Sequence, residues 1–395
     1  MQWKQSAEDF QVHEAVRLSP GRKGDFALYL LEKQEIGTHE ALAQISRELS
    51  VPAFRIDHGG LKDRTAQTSQ YITIHNGPRR SIDQKQWQLQ YLGLCDRKMH
   101  AGEITGNEFT IVLRQMEALT EDQLQQTCHF LSKVGVPNYF DDQRFGSLTD
   151  AGKFVAVAWM KKDYERALKQ ALAEPNSRDP QAEALQRKIL RSHWGDWMHC
   201  KMALDKSNRR SVVTYLCDHP EGFKKAFGLV SSEMRGLYLS AFQSHVWNQV
   251  IANRILAQSG QTQSAQTQSV EFRPGALPMP ANWESPPEWS DDLIPLPSGR
   301  LRLGESNRLR KEFEAVLQQW DIPLPLMRVS FPRDVFFATA KRKTWLTISS
   351  VEANCQPDDL HPGQSKVTLK FTLPSGCYAT LVLKQLERVW NPSAP

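Results

Sequence analysis

No apolar run in this chain approaches the roughly 20 residues that a membrane-spanning helix needs, so nothing in the sequence suggests a helical membrane protein. The opening residues, Met1-Gln2-Trp3-Lys4-Gln5, lack the basic-then-apolar layout of a secretory leader. The expected location is cytoplasmic. Cysteine is scarce, with six residues at 95, 128, 200, 217, 355 and 377 and no CxxC pair. In a reducing compartment these are expected as buried small hydrophobes, not disulfides or metal ligands. The tightest metal-like cluster, His193, His199, Cys200, Cys217 and His219, fits no standard zinc spacing. No metal is expected. An excess of one charge is also missing. With 49 basic and 44 acidic residues the net charge is +5, compatible with a polyanionic partner without being diagnostic of one. No sustained heptad seam or spare apolar helix face is apparent, which predicts a monomer.

What is present is a chain of 395 residues, 40% hydrophobic and 24% charged, enough for about two or three domains. Its first 115 residues read mainly as strands. Phe10 and Val12 alternate with polar neighbours, and Phe26, Leu28 and Leu30 recur at every second position. Thr38 is a candidate cap for a helix carrying Leu42, Ile45 and Leu49 at helical spacing. Strands are predicted at 71–75, near 87–94 and at 108–114. Thr120-Glu121-Asp122-Gln123 has capping-box spacing and opens another helix. From 150 to 257 the pattern is helical, clearest at 233–257, where Leu237, Phe242, Val246, Val250 and Ile251 form an apolar stripe. Residues 258–269 are polar and low in complexity, and 273–299 are rich in proline, so 258–299 is expected as a flexible loop. A helix fits 305–320. Near the C-terminus Val367, Leu369, Phe371 and Leu373 alternate strictly with polar residues, and Pro374-Ser375-Gly376 marks a turn. The stretch after Ala379 fits a strand or a short helix. A β-rich start, a helical middle and a β-rich end predict a discontinuous domain with another inserted in it.

Two stretches concentrate polar chemistry. In Gly59-Gly60-Leu61-Lys62-Asp63-Arg64-Thr65-Ala66-Gln67-Thr68, one carboxylate sits between two cations behind a glycine pair that permits tight or positive-φ geometry. Taken alone it reads first as a solvated turn. It also suits an aspartate kept ionised beside an anionic substrate. The second stretch, Asn138-Tyr139-Phe140-Asp141-Asp142-Gln143-Arg144-Phe145-Gly146, gathers aromatics, amides and an arginine without strand or helix period. It reads equally as a domain junction anchored by aromatics and as a site where a base stacks on a ring while amides read its edge.

These residues resemble the TruD family of pseudouridine synthases. The loop around Asp63 resembles the family's Gly-x-Lys-Asp-[Lys/Arg]-x-Ala-x-Thr signature. Lys4 followed by Glu8-Asp9-Phe10-Gln11-Val12 resembles its N-terminal strand, and Gly106-Asn107-Glu108-Phe109 its Gly-Asn-x-Phe strand. The run from Asn138 to Gly146 resembles its Asn-Tyr-Phe-x-x-Gln-Arg-Phe-Gly motif. Leu373-Pro374-Ser375-Gly376-Cys377-Tyr378-Ala379-Thr380 is similar to its C-terminal motif, with a weaker helical match at Leu239-Ser240-Ala241-Phe242-Gln243-Ser244. All fall in the family's order.

The resemblance implies an α+β protein: a discontinuous pseudouridine-synthase catalytic domain on a mixed, largely antiparallel sheet, with an inserted, mostly helical α/β TRUD domain. The expected division is 1–149 and 341–395 for the catalytic domain and 150–340 for the insertion. It implies isomerisation of a uridine in RNA, uridine-13 of tRNA as the usual target, without metal or organic cofactor. Mapped residue by residue, Asp63 is the catalytic aspartate, and Lys4, Asn138, Phe140 and Tyr378 fall where the family lines its uridine pocket. Cys377 stands where serine is common, Tyr378 replaces phenylalanine, and Asp141-Asp142 adds negative charge where small residues are frequent. The reading from another class is a non-catalytic RNA-binding or RNA-folding protein on this fold. A third is the same reaction on rRNA or mRNA.

The chemistry leaves two roles open for Asp63: attack on C1′ as a nucleophile, or proton removal from C2′ to give a glycal. Either needs an ionised carboxylate, which nearby cations favour. Lys62 or Arg64 would hold an RNA phosphate or pair with the acid in the empty site. Further RNA contacts are expected from Arg79-Arg80, Arg187-Lys188-Arg191, Arg209-Arg210, Arg300/Arg302/Arg308/Arg310/Lys311 and Lys341-Arg342-Lys343.

Overall fold

Strict alternation of apolar residues builds the strands that dominate both ends of the chain. The structure, a computed structural model, describes residues 2–260 and 266–390. The chain divides into two compact units. One combines the residues up to Gly135 with those from Thr347 onward; the other is Val136–Leu346. The first is thus discontinuous in sequence. The expected limits of the insertion were 150 and 340.

The first unit holds β1 (Phe10–Val16), β2 (Phe26–Lys33), α1 (Thr38–Glu48), β3 (Gln67–His75), β4 (Trp87–Cys95), β5 (Ile104–Met116), α2 (Glu121–Lys133), β6 (Ser349–Pro357), β7 (Ser365–Pro374) and α3 (Ala379–Trp390). The strands form a ten-stranded sheet whose main path runs β6-β7-β5-β1-β3-β2-β4, continued by Ile82–Asp83. Gln2–Trp3 pairs with β5 and Ile56–His58 with β3. β1 and β3 are parallel and the other pairs antiparallel, so the sheet is mixed and largely antiparallel as expected. The C-terminal β7 pairs with β5 over most of its length, Leu373 opposite Asn107.

α1 covers one face of this sheet. Its Ala41, Leu42, Ile45 and Leu49 pack with Ala27, Tyr29 and Leu31 of β2, Ile72 and Ile74 of β3, and Trp87 and Leu89 of β4. Each large side chain buried there contributes about 1.5–3 kcal/mol. The cap of α1 differs from expectation. Gly37 is the N-cap and Thr38 the first helical residue, because the Thr38 hydroxyl is taken by the neighbouring loop. The capping box at Thr120 forms as read, with Gln123 N–H donating to Thr120 Oγ1 (3.3 Å) and Thr120 N–H to Gln123 Oε1 (2.9 Å). The segment after Ala379 is a helix.

The second unit is mostly helical. Six helices between Val155 and Gly228 lead into one 28-residue helix, Ser232–Ser259. Leu237, read as part of that helix's buried stripe, is 49% exposed. Burial instead spans Tyr238, Leu239, Phe242, Val246, Trp247, Val250 and Ile255, more than one face, as suits a central helix. Short strands tie the unit together: Thr267–Val270 with Leu277–Pro280, Leu293–Pro295 with Lys341–Lys343, and Val136–Pro137 with Trp345–Leu346. The last pair joins the unit's first and last residues. The segment read as a flexible loop over 258–299 therefore carries strands, and residues 261–265 of it lie outside the described residues. No helix is long and apolar enough to cross a membrane among the described residues.

Candidate active site

The 59–66 loop leaves the Ile56–His58 strand and returns as β3. Neither of its glycines has positive φ. At Gly59 a Cβ would lie 2.5 Å from Ile104 Cδ1 and 2.8 Å from Met99 Cε, so those side-chain ends would have to move to admit one. Gly60 faces open space. Below the loop, Thr38 Oγ1 accepts from Lys62 N–H (3.0 Å) and donates to Gln70 Oε1 (3.0 Å), while Gln70 Nε2 donates to Gly60 O (3.3 Å). The loop is thus fixed from the helix on one side and from β3 on the other.

Asp63 stands at its crest with 40% of its side chain exposed. Its Oδ2 pairs with the Lys4 ammonium, and its Oδ1 accepts from the Thr65 N–H and hydroxyl, both at 3.2 Å. Burial by itself raises the carboxyl pKa, but the bond to Lys4, the two bonds from Thr65 and the Lys4 charge outweigh it and hold it below the usual aspartate value. Lys4 has φ +61°, a left-handed conformation uncommon for a side-chain-bearing residue. Its Nζ lies 4.3 Å from the centre of the Phe10 ring and 5.0 Å from that of Trp3. These rings seat the cation that Asp63 meets.

Neither neighbouring cation pairs with Asp63. Lys62 turns inward, where its ammonium meets Glu14 Oε1 (2.9 Å) and Asn107 Oδ1 (2.6 Å). Glu14 is fully buried at its side chain and also accepts from Tyr71 N–H (3.0 Å). Arg64 points outward and pairs with Glu40 of α1 at 3.0 Å, with 63% of its side chain exposed. Of the two, Arg64 remains placed to meet a phosphate, and Lys62 is spent on the loop. Tyr378 lies half-buried between the end of β7 and the start of α3, beside a turn in which Gly376 has φ +80°. Lys62 ties the Asp63 loop to Asn107 of β5, the register partner of Leu373 near the end of β7.

Asn138 and Phe140 belong to the second unit. Asn138 is 2% exposed; its Nδ2 donates to Lys343 O (2.8 Å) and its Oδ1 accepts from Arg342. Phe140 is 5% exposed, its backbone N–H and C=O both bonded to the Asn248 side chain at 2.8 Å. The Arg342 guanidinium lies 4.2 Å from the centre of the Phe140 ring, and Trp247 meets that ring edge-on at 5.7 Å. Arg342 also donates to the carbonyls of Asn138 (3.0 Å) and Tyr139 (3.1 Å). It is a structural centre of the motif, not the loose surface cation its Lys-Arg-Lys neighbourhood suggests.

Other expected RNA-contacting arginines are likewise committed inside the protein. Arg187 is 7% exposed and bonds Asp179 and the carbonyls of Gln170, Ala171 and Glu174. Arg209 pairs with Glu183 and Arg310 with Glu314, whereas Arg308, although paired with Glu312, keeps 79% of its side chain exposed. Arg79, Lys188, Arg191, Arg302, Lys311 and Lys341 stay exposed. The cysteines are free, with Cys95 and Cys200 buried and the other four half-buried. No group of three or more histidine, cysteine or acidic side chains is arranged to hold a metal among the described residues.

Sequence reasoning missed Glu14 and Lys33, the buried charges beneath the loop. Glu14 was readable, since it continues the every-second-residue register of Phe10 and Val12. Lys33 lies with Ala27, Tyr29 and Leu31, opposite the Phe26, Leu28 and Leu30 register read from the sequence, and only the structure shows that face to be buried.

Residues 1–283 match the family model described as tRNA pseudouridine synthase D (TruD). A Methanococcus maripaludis protein named as a probable tRNA pseudouridine synthase D 1 is 30% identical over 403 residues, covering 99% of this chain and 100% of that one. A tRNA pseudouridine synthase D from Leptospira interrogans is 26% identical over 400 residues, covering 97% and 95%. Among solved structures, a Methanosarcina mazei protein assigned to tRNA pseudouridine synthase D (TruD) superimposes with a TM-score of 0.73 at 25% identity, over 97% of this chain and 92% of that one. Whole-length similarity, the α+β fold and the loop that carries Asp63 agree: the chain belongs to the TruD family of pseudouridine synthases.

Proposed function

We propose that this chain isomerises uridine-13 of tRNA to pseudouridine, with Asp63 as the catalytic carboxylate. The observation that carries this reading is the state of Asp63: a half-exposed carboxylate, held ionised by Lys4 and Thr65, on a loop that buried charges keep in place. Breaking the N-glycosidic bond requires an anion at the ribose, whether it attacks C1′ or takes the C2′ proton. Lys4 then has two tasks. In the empty site it neutralises Asp63, and with RNA bound it is the cation nearest the reacting sugar.

The target uridine has to leave its stack, at a cost of a few kcal/mol. Stacking on an aromatic ring returns about 1–3 kcal/mol per base, and the half-buried Tyr378 is the ring assigned to that task. Phe140, buried beneath Arg342, is not free to take a base and supports its motif instead. Asn138, buried with both amide atoms bonded to Lys343 O and Arg342, would support its motif from within and not read the base. Arg64 and the exposed cations would supply the phosphate contacts. The protein would act as a cytoplasmic monomer, without metal or organic cofactor.

The test is incubation with unmodified tRNA followed by mapping of pseudouridine at nucleotide resolution. Conversion at uridine-13 supports the proposal. Conversion confined to another site, or to rRNA or mRNA, would keep the reaction and overturn the target. Binding of RNA without any conversion would favour a non-catalytic RNA-binding protein.

A further inference from the structure

We infer that Lys33 is a positioning residue for the reaction, its buried ammonium holding the backbone of Asp63 so that the carboxylate is presented at the crest of the loop. This rests on the assignment of Asp63 as the catalytic group. Lys33 ends β2 and is 2% exposed. Its Nζ donates to Asp63 O at 2.8 Å and to Ile36 O at 2.9 Å. Among the described residues it makes no ion pair. A buried ammonium bonded only to neutral acceptors is an expensive choice for structure alone, because its desolvation is offset only in part, by the Asp63 charge. The return is geometric: this ammonium bonds the carbonyl of the residue assigned the chemistry.

The Lys33 register explains how it reaches there. Its strand neighbours are Thr68 on β3 and Trp87 on β4, neither of them charged. The charges that face it come from the loop, namely Asp63, Lys62 and Arg64. Two of these are already paired elsewhere, Lys62 with Glu14 and Arg64 with Glu40 of α1, while Asp63 is paired with Lys4. Burial lowers the Lys33 pKa to about 8, the Asp63 charge opposing and Lys62 and Arg64 reinforcing the drop. The ammonium is therefore a titrating support. As it loses its proton, its charge-assisted bonds to the two carbonyls weaken, and the loop loosens.

The inference separates Lys33 from a residue that merely stabilises the fold. A positioning role moves the chemical step and leaves RNA binding alone. The experiment compares wild type, Lys33→Met and Lys33→Arg in single-turnover conversion of unmodified tRNA, alongside RNA affinity and hydrogen exchange of the 61–65 amides. Lys33→Met keeps the aliphatic stem and removes the charge. It is expected to lower the rate at saturating enzyme by about tenfold or more with the RNA Kd within about twofold, and to speed exchange in the loop. Lys33→Arg, which stays charged, is expected to recover part of the rate.

A Lys33→Met rate within about twofold of wild type, or unchanged loop exchange, would overturn the inference. If Lys33→Met does not fold, the wild-type pH profile decides: a saturating rate that falls as pH rises through about 8 supports it, and a flat profile there overturns it. If wild type forms no pseudouridine on any RNA, the functional proposal fails instead, and loop exchange alone judges what Lys33 does.

Discussion

The two polar motifs of this chain use similar residue types to opposite ends. Around Asp63 the backbone is anchored from beneath by buried ions, and the reactive side chain is left half-exposed. Around Asn138 and Phe140 the motif side chains are themselves buried, and they hold an arginine in place. In the first, charge supports a site from below. In the second, the amide and ring named by the motif are the support, and Arg342 is the polar group they organise. A motif residue can thus be left open to solvent or be locked into the framework, and burial tells the two apart.

Four substitutions sharpen that contrast. The largest stability effect is expected at the buried ions. Glu14→Gln strips Lys62 of its counter-charge in a closed environment, so unfolding free energy should drop by about 3 kcal/mol. A loss under about 1 kcal/mol would show that the loop is not anchored by this pair. Next comes Arg342→Met in the second unit. It removes charged hydrogen bonds to Asn138 and Tyr139 and the contact with the Phe140 ring. Urea titration should show about 2 kcal/mol lost, with the salt dependence of RNA binding unchanged. A reduced salt slope would instead mark Arg342 as a phosphate contact.

Lys4→Met acts on ionisation. Asp63 has a depressed pKa in the folded protein, so its stabilising contribution is present above the unfolded value and disappears as pH falls through the folded one. Without Lys4 the carboxyl should titrate higher, moving the acid limb of the pH–rate profile to higher pH. Superimposable profiles would remove Lys4 from the account. Lys33 shifts stability in the same direction with pH but activity in the opposite one. Its unfolded value of 10.5 exceeds the folded value of about 8, so between them the unfolded chain binds more protons and this group favours folding as pH rises, while activity is expected to fall. The smallest effect belongs to Arg64→Ala. The exposed pair with Glu40 should be worth under about 0.5 kcal/mol, and the change should appear as a drop of about one in the salt slope of RNA binding. An unchanged slope would leave Arg64 without a phosphate.

Much of the fold was legible because its residues obey local rules. The alternation at 367–373 gave β7, the Thr120 capping box opened α2, and Leu42, Ile45 and Leu49 outlined α1. The misreadings share a cause. Thr38 looked like a cap because its hydroxyl was judged against its own helix, whereas the loop 24 residues on claims it. Arg187 and Arg342 looked solvated because arginine usually is, and only distant carbonyls show otherwise. Within the site, motif order singled out Asp63 and Lys4, which the structure pairs. It said nothing of Glu14 and Lys33, whose partners lie 48 and 30 residues away. Strand register pointed to Glu14 alone.

The central claim is that Asp63 carries the chemistry and not the binding. It is tested most directly by the single-turnover conversion of uridine in unmodified tRNA by Asp63→Asn, at enzyme concentrations that saturate RNA. The neutral side chain should leave RNA affinity close to wild type and slow pseudouridine formation by about 10²–10⁴-fold. Conversion at the wild-type rate would contradict the account.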